Sequence, residues 1–245
     1  MKNIIVFVAS LLFVFQGFSQ KNFNTIGGGS SGGANNHFNI YLRIIDINEK
    51  AISFGLSEAE FNGIKEEAYL NSNFMVGNIY QDENLIKAGV PMRYNAYADE
   101  IEIKNHVSEE NYGALMKDES IYVKIEKDIY VFIPFDGSNE KGGYFNIIAD
   151  GKTYDLYKKT KAVFEEPYTA ATSYEKNKPA SFTKESKYYL MKNGTLYELP
   201  DNTSSILKMM EDKKQEVKVF VKKNNLDLHK EEDLSKIVLY FDSLL

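Results

Sequence analysis

The sequence has no cysteine and no tryptophan, and Arg43 and Arg93 are the only arginines among its 245 residues. Without cysteine we expect no disulfide, no thiolate ligand for a metal ion and no anchor of the cysteine-lipid kind. The formal net charge is −6. Because a nucleic-acid interface concentrates positive charge against the phosphates, we expect no nucleic acid among the partners of this chain.

Long apolar runs are also missing, except for one close to the N-terminus. Lys2 precedes the apolar run 4–15, and small residues follow it up to Ser19. This order predicts a signal peptide over residues 1–19, and therefore an exported protein. No later stretch approaches the roughly 18 apolar residues of a membrane helix, so we expect no transmembrane segment in the mature chain. Residues 20–37 contain GGGSSGGANN, which predicts a flexible linker.

Two neighbouring runs of alternating residues give the clearest strand signals. In the first run, Ile121, Val123 and Ile125 share one face, and polar residues occupy the other face, as a half-buried strand requires. A turn is expected at about residues 127–128. The second run, 129–135, is apolar on both faces, which predicts a central or covered strand. One-sided antiparallel strands are the simplest interpretation.

Turn residues divide the rest of the region 38–200 into further strands. Asp-Gly at 150–151 and Asn-Gly at 193–194 are signals for tight type I′ hairpins. Pro91 cannot donate to a ladder, so its strand is expected to be at an edge or bulged there. Residues 112–117 are predicted to form a short helical turn. The region as a whole is predicted to be a β-rich domain.

The apolar period becomes helical after residue 200, so residues 201–245 are predicted to be a helical segment of the same domain. A last helix from about His229 places Leu234, Ile237 and Phe241 on one stripe, which must be buried. We therefore predict an α+β fold: an antiparallel sheet or partly open barrel of about eight to ten strands, followed by a C-terminal helical segment packed on it.

One short stretch holds the most distinctive group of polar and aromatic side chains. The candidate binding residues there are Arg93, Tyr94, Tyr97, Asp99, Glu100 and Glu102. A guanidinium is planar and permanently charged, and tyrosine joins apolar area to a hydroxyl, which suits recognition surfaces. Alternation places the two glutamates on one strand face, where they could pair with the arginine. The alternative is an ordinary ion pair on a solvated strand face.

The sequence contains no complete motif for catalysis or for a metal ion. The loop that begins at Asp136 starts like a calcium loop, but Lys141 and Ile147 stand where glycine and glutamate are required. The three histidines are scattered and fit no zinc motif. We therefore predict no catalytic residue, no metal site and no cofactor. Paired carboxylates of a glycosidase type leave no mark on linear spacing, so a hydrolase of envelope glycans or peptides remains the alternative.

The stretches AYLNSNFMVGNIY, RYNAYADEIEI and IYVKIEKDIYVFIPF, together with the C-terminal KKNNLDLHKEEDLSKIVLYFDSL, resemble a group of small exported proteins of Bacteroidota that carry no assigned activity. The resemblance covers roughly residues 65–245 and implies an envelope or extracellular location. The leading functional prediction is a non-catalytic module that binds an unknown envelope protein or small ligand. Because the C-terminal helix does not look like a β-type secretion signal, we expect the periplasm rather than the cell surface or the medium.

Overall fold

The computed structural model describes residues 42–44, 55–135, 138–172 and 174–245, with the backbone alone for 42–44, 135 and 138–141. The predicted signal peptide and the predicted linker lie outside the described residues. So does the start of the predicted calcium-like loop at Asp136.

Eleven strands are found in the described part of the chain. They are β1 Leu42–Ile44, β2 Met75–Gln81, β3 Asn84–Asn95, β4 Glu100–Ile103, β5 Gly113–Leu115, β6 Ile121–Ile125, β7 Asp128–Phe135, β8 Ser138–Ala149, β9 Asp155–Glu165, β10 Ser181–Lys192 and β11 Thr195–Glu198. They form one sheet in the order β1-β5-β4-β3-β2-β6-β7-β8-β9-β10-β11, and each neighbouring pair is antiparallel.

Helices flank this sheet at both ends of the described chain. They are α1 Glu58–Ile64, a 3₁₀ turn Lys65–Ala68, α2 Thr203–Met209, a 3₁₀ turn Glu211–Lys213, α3 Lys214–Lys223 and α4 Glu231–Ser243. A capping box between Ser57 and Glu60 starts α1. Leu234, Ile237 and Phe241 of α4 are buried against β8 and β9. The predicted α+β fold, with its antiparallel sheet and C-terminal helical segment packed on it, is confirmed.

The strand pattern of β6 and β7 matches the sequence in period, with one difference in β7. Ile121, Val123 and Ile125 are buried as predicted. Since Ile125 pairs with Asp128, the turn is made by residues 126–127. This register places Tyr130 and Phe132 in the core. Ile129 and Ile133, on the opposite face of β7, are half-buried.

Three local predictions had different outcomes. The Asn193-Gly194 turn is confirmed, because both residues have positive φ and the flanking strands pair directly. The helical turn predicted at 112–117 is wrong, because that segment pairs as β5 between β1 and β4. Pro91 does not lie on an edge strand, since β3 is between β2 and β4, but a register shift with β2 lies beside it.

The Asp150-Gly151 turn is not type I′, because neither residue has positive φ and the loop extends over residues 150–154. This loop is instead organised by Asp242 in the last turn of α4. Its carboxylate accepts hydrogen bonds from the backbone N–H groups of Lys152, Thr153 and Tyr154 at 2.7, 2.8 and 2.9 Å. One side chain therefore fastens the C-terminal helix to the β8–β9 loop.

Strands β8 and β9 separate after a short paired stretch, and we call this opening of the sheet the fork. The two strands pair only from Asn146 to Ala149 on the β8 side, and they diverge beyond this short ladder. The turn between β3 and β4 contacts both branches of the fork, since Ala162 of β9 donates its N–H to the Ala96 carbonyl at 3.1 Å. The sheet therefore curls so that the β3–β4 turn meets β9, while β1 and β11 remain its two edge strands.

Two apolar cores occupy the two ends of this curled sheet. The first, inside the curl of β2 to β7, includes Ile79, Met92 and Val123. The second, between β8 to β10 and the C-terminal helices, includes Leu156 and Ile237. The boundary between the two cores is where the candidate site lies.

Candidate functional site

Arg93 is enclosed by groups of the protein itself. Its Nε donates to the Glu102 carboxylate at 2.8 Å, and its two Nη groups donate to the Ser72 carbonyl at 2.6 Å and the Tyr69 hydroxyl at 3.0 Å. The guanidinium also lies 3.8 Å from the ring centre of Tyr69 and 4.3 Å from that of Phe74. The side chain is 13% exposed, so most of its binding capacity is used within the fold.

The strand face that carries Glu100 and Glu102 is buried rather than solvated. The Glu102 side chain is 1% exposed and also accepts from Asn95 Nδ2 at 2.7 Å and from the Tyr69 hydroxyl at 3.2 Å. Glu100 lies 3.5 Å from the ammonium of Lys117. The segment around Tyr69 covers this face, and burial followed by the Glu102 charge raises the pKa of Tyr69.

The other three predicted binding residues lie in different surroundings. Tyr94 is buried, and its hydroxyl is 2.7 Å from Asp99 Oδ1. Tyr97 is 37% exposed and packs edge-on against Phe182. The structure therefore does not bring all six predicted residues together at one site. Arg93 and Tyr94 alone among them line the cavity described below.

Asp99 links the two branches of the fork. It has a φ of 55°, and its carboxylate accepts from the Tyr144 N–H of β8 at 3.2 Å and forms an ion pair of 2.6 Å with Lys159 of β9. Lys159 also donates to the Tyr144 carbonyl at 2.9 Å. Burial lowers the pKa of Lys159, and the nearby Asp99 opposes that shift. A Cβ at Gly143 would collide with the Lys159 ammonium and the Asp99 carboxylate, so a larger residue there would displace this ion pair.

A row of polar side chains crosses four strands between the two apolar cores. The register pairs Tyr130 of β7 with Asn146 of β8, Asn146 with Lys158 of β9, and Lys158 with Tyr188 of β10. Directly paired residues of neighbouring strands point to the same face of a sheet. We call these four residues the polar row.

A cavity of about 300 Å³ lies over one end of the polar row. Its walls come from the loop 70–75, the β6–β7 turn, β3 and the first residue of α4. Met92, Tyr94 and Tyr130 give it an apolar and aromatic part, while the turn, the polar row and Glu231 supply polar groups. The mouth of a β-barrel is a frequent place for small-molecule sites, which range from about 300 to 1,000 Å³.

Asp128, Tyr130 and Asn146 form one polar group in the lining of this cavity. Asn146 Nδ2 donates to Asp128 Oδ1 at 3.1 Å, which fixes the orientation of the amide. No described residue forms a hydrogen bond with the hydroxyl of Tyr130, although this residue is only 5% exposed. Asn146 Oδ1 also has no hydrogen-bond partner among the described residues. Buried polar atoms are normally satisfied, so the buried Asn146 Oδ1 needs an explanation.

Glu231 closes the side of the cavity towards the helices. Its carboxylate is 2.6 Å from the Lys158 ammonium and accepts from the Tyr188 hydroxyl at 2.9 Å. Burial alone would raise the pKa of Glu231, but the hydrogen bonds from Lys158 and Tyr188 and the Lys158 charge outweigh it and lower the pKa. This ionised carboxylate ties α4 to β9 and β10.

Sequence reasoning missed the residues that form the cavity. Asp128 was assigned to a turn and Tyr130 to an apolar strand face, while Asn146 and Lys158 lie in strands with no unusual composition. The one available signal was a tyrosine on the buried face of β7. The polar row depends on the register between neighbouring strands, which cannot be deduced from a single sequence.

Within the described ranges, no group of three or more His, Asp or Glu side chains could hold a metal ion. No helix in that part of the chain is both long enough and apolar enough to span a membrane. No protein-family model, curated protein or solved structure matches the chain.

Proposed function

We propose that this chain is a non-catalytic binding module of the cell envelope, and that it binds a small polar ligand in the cavity over the polar row. The observation that carries the proposal is Asn146 Oδ1, a buried amide oxygen of the cavity lining that has no hydrogen-bond partner among the described residues. The hydroxyl of Tyr130, the residue paired with Asn146 on β7, has no partner among them either. A ligand that donates a hydrogen bond to this amide oxygen recovers the free energy that an unsatisfied buried group costs, about 1 to 3 kcal/mol.

The lining favours a ligand with both polar and apolar surface. The rings of Tyr94 and Tyr130, 5.1 Å apart between centres, present aromatic faces. Asp128 and Asn146 present polar atoms on the same side of β7 and β8. A few convergent polar groups within an apolar enclosure are typical of small-molecule sites. The cavity volume is at the lower end of their usual range, which favours a small ligand.

Export rests on the N-terminal pattern of residues 1–19 and on the resemblance to exported proteins of Bacteroidota. An envelope location places the cavity where small molecules pass between the cell and its surroundings. Within the envelope, we propose a periplasmic location.

The hydrolase alternative receives no support from the electrostatics of the cavity. A glycosidase-type dyad needs one carboxyl group with a raised pKa to act as the acid. The pKa of Glu231, which lines the cavity, is lowered instead. Asp155 has a pKa raised by burial, but it accepts from the Gly151 N–H in the β8–β9 loop and does not line this cavity.

Ligand binding can be tested by thermal unfolding of the purified protein with amino acids, monosaccharides, amino sugars and polyamines. A compound that binds the native state raises Tm with increasing concentration. We expect Tyr130→Phe, which removes only the hydroxyl from the cavity lining, to reduce this response. Tyr174→Phe is the matched control, since Tyr174 is almost fully exposed. The proposal is wrong if no compound class raises Tm, or if both variants respond like the wild type.

A further inference from the structure

The charges around the cavity do not balance once the internal ion pairs are taken into account. Its lining contains Arg93, Lys127 and Lys158 together with Glu126, Asp128 and Glu231. Arg93 is paired with Glu102, which is outside the lining, and Lys158 is paired with Glu231. The remaining lining charges are those of the β6–β7 turn, and their formal sum is −1.

Asp128 is the half-buried member of this turn and forms no ion pair with a described lysine or arginine. Its Oδ1 is occupied by Asn146, while no described group donates to its Oδ2. A half-buried carboxylate without a cation pays part of its desolvation cost uncompensated. This carboxylate is therefore the natural contact for a positive group.

The same negative charges affect the pKa of Tyr130, which lies in the cavity lining. After burial, the charges of Asp128 and then Glu231 raise the pKa of its phenol. Two carboxylates thus act on a hydroxyl that has no described hydrogen-bond partner. The hydroxyl oxygen accepts hydrogen bonds, and the aromatic side chains of Tyr94 and Tyr130 belong to the same lining.

Resting on the proposed function, we infer that the ligand presents a protonated primary amine to Asp128 and Tyr130. The ammonium donates to Asp128 Oδ2 and to the Tyr130 hydroxyl oxygen. A third donor turns towards Asn146 Oδ1, which lies in the cavity lining and has no partner among the described residues. The aliphatic part of the ligand then contacts Tyr94 and Met92. A carboxylate or phosphate in this position would meet Asp128 instead and be repelled.

The experiment compares 1,4-diaminobutane with 1,4-butanediol, which has nearly the same shape but no charge. Binding to the purified protein is measured by calorimetry, and the side-chain amide signal of Asn146 is followed by ¹H–¹⁵N NMR. We expect the diamine to bind at least tenfold more tightly than the diol and to shift the Asn146 signal. Asp128→Asn removes the charge with little change of shape, and it should abolish this preference.

Asp82→Asn is the matched control, because Asp82 is an exposed aspartate in the β2–β3 turn. It should bind the diamine like the wild type. Circular dichroism and thermal unfolding establish that each variant is folded, and Tyr130→Phe gives a second test of the same site.

The possible results separate the two proposals. Equal affinity for the diol and the diamine, unchanged in Asp128→Asn, overturns the amine inference and leaves a cavity that binds small polar ligands. If neither probe binds but a neutral sugar raises Tm in a Tyr130-dependent way, the amine inference also falls. The amine inference is supported if Asp128→Asn loses the preference for the diamine and Asp82→Asn keeps it.

Discussion

The Arg93 guanidinium and the Glu102 carboxylate are 2.8 Å apart on adjacent strands, with side chains that are 13% and 1% exposed. The pair was expected from the sequence, but on a solvated face. Burial increases the loss of stability expected when the pair is broken, because one buried charge is then left without compensation. An exposed pair contributes little to stability.

We expect Arg93→Ala to destabilise the protein by about 3 to 5 kcal/mol, since Glu102 would remain buried without its cation. Urea unfolding measures this difference. Lys184→Ala, which removes an exposed cation from β10, should change stability by less than about 0.5 kcal/mol. The double variant Arg93→Met/Glu102→Leu should recover only part of the loss, because Asn95 would lose its acceptor and the Ser72 carbonyl its donor. Equal stability of Arg93→Ala and Lys184→Ala would contradict a structural role for the pair.

A second prediction concerns Asp242, whose carboxylate accepts three backbone N–H groups. Burial alone would raise the pKa of Asp242, but these hydrogen bonds and the charge of Lys152 lower it. A carboxyl with a lowered native pKa stabilises the fold above its unfolded pKa, about 4, and this contribution disappears as the pH falls through the native value. Asp242→Asn should therefore cost about 1 to 3 kcal/mol at pH 7.

The pH dependence distinguishes this effect from a loss of packing. In urea unfolding from pH 7 to pH 3, the stability difference between wild type and Asp242→Asn should shrink at the acid end, because protonation of Asp242 removes the same charge from the wild type. A difference that stays constant over this range would show that the carboxylate charge has no part in fastening α4.

The third prediction tests the space requirement at Gly151. A Cβ there would collide with the Tyr154 carbonyl oxygen and lie 2.9 Å from the Asp242 carboxylate carbon. Gly151→Ala should cost about 1 to 3 kcal/mol in thermal or urea unfolding, as overpacking usually does.

Gly63→Ala is the control for the loss of glycine. Gly63 lies in α1, and a Cβ there meets nothing within 4 Å, so alanine should stabilise the protein by about 0.5 to 1 kcal/mol. If Gly151→Ala were stabilising as well, the close approach of Asp242 to the β8–β9 loop would be incorrect.

Patterns confined to a few neighbouring residues were sufficient to predict much of the fold. The alternation in β6 and the Asn193-Gly194 turn are local, because they depend on side-chain period and on φ preference. The helical stripe of α4 is equally local. These features led to the correct fold class without knowledge of which strands are neighbours.

Features that depend on distant partners were not predictable in the same way. Gly113–Leu115 becomes a strand only because β1 and β4 lie on either side of it. The lack of space for a side chain at Gly151 depends in part on Asp242, which is distant in the sequence. The candidate cavity is the extreme case. Its polar row exists because four strands align Tyr130, Asn146, Lys158 and Tyr188, none of which has a distinctive sequence context.

The link from Asp99 to Tyr144 and Lys159 has a consequence for how the chain assembles. Asp99 and Tyr144 are 45 positions apart, and the neighbouring contact from Tyr94 to Thr160 spans 66. Contacts of such separation repay the entropy of closing a long loop only after both ends are structured. The β3–β4 turn should therefore dock on β8 and β9 late and all at once, which makes the two halves of the sheet a single cooperative folding unit rather than two independent ones.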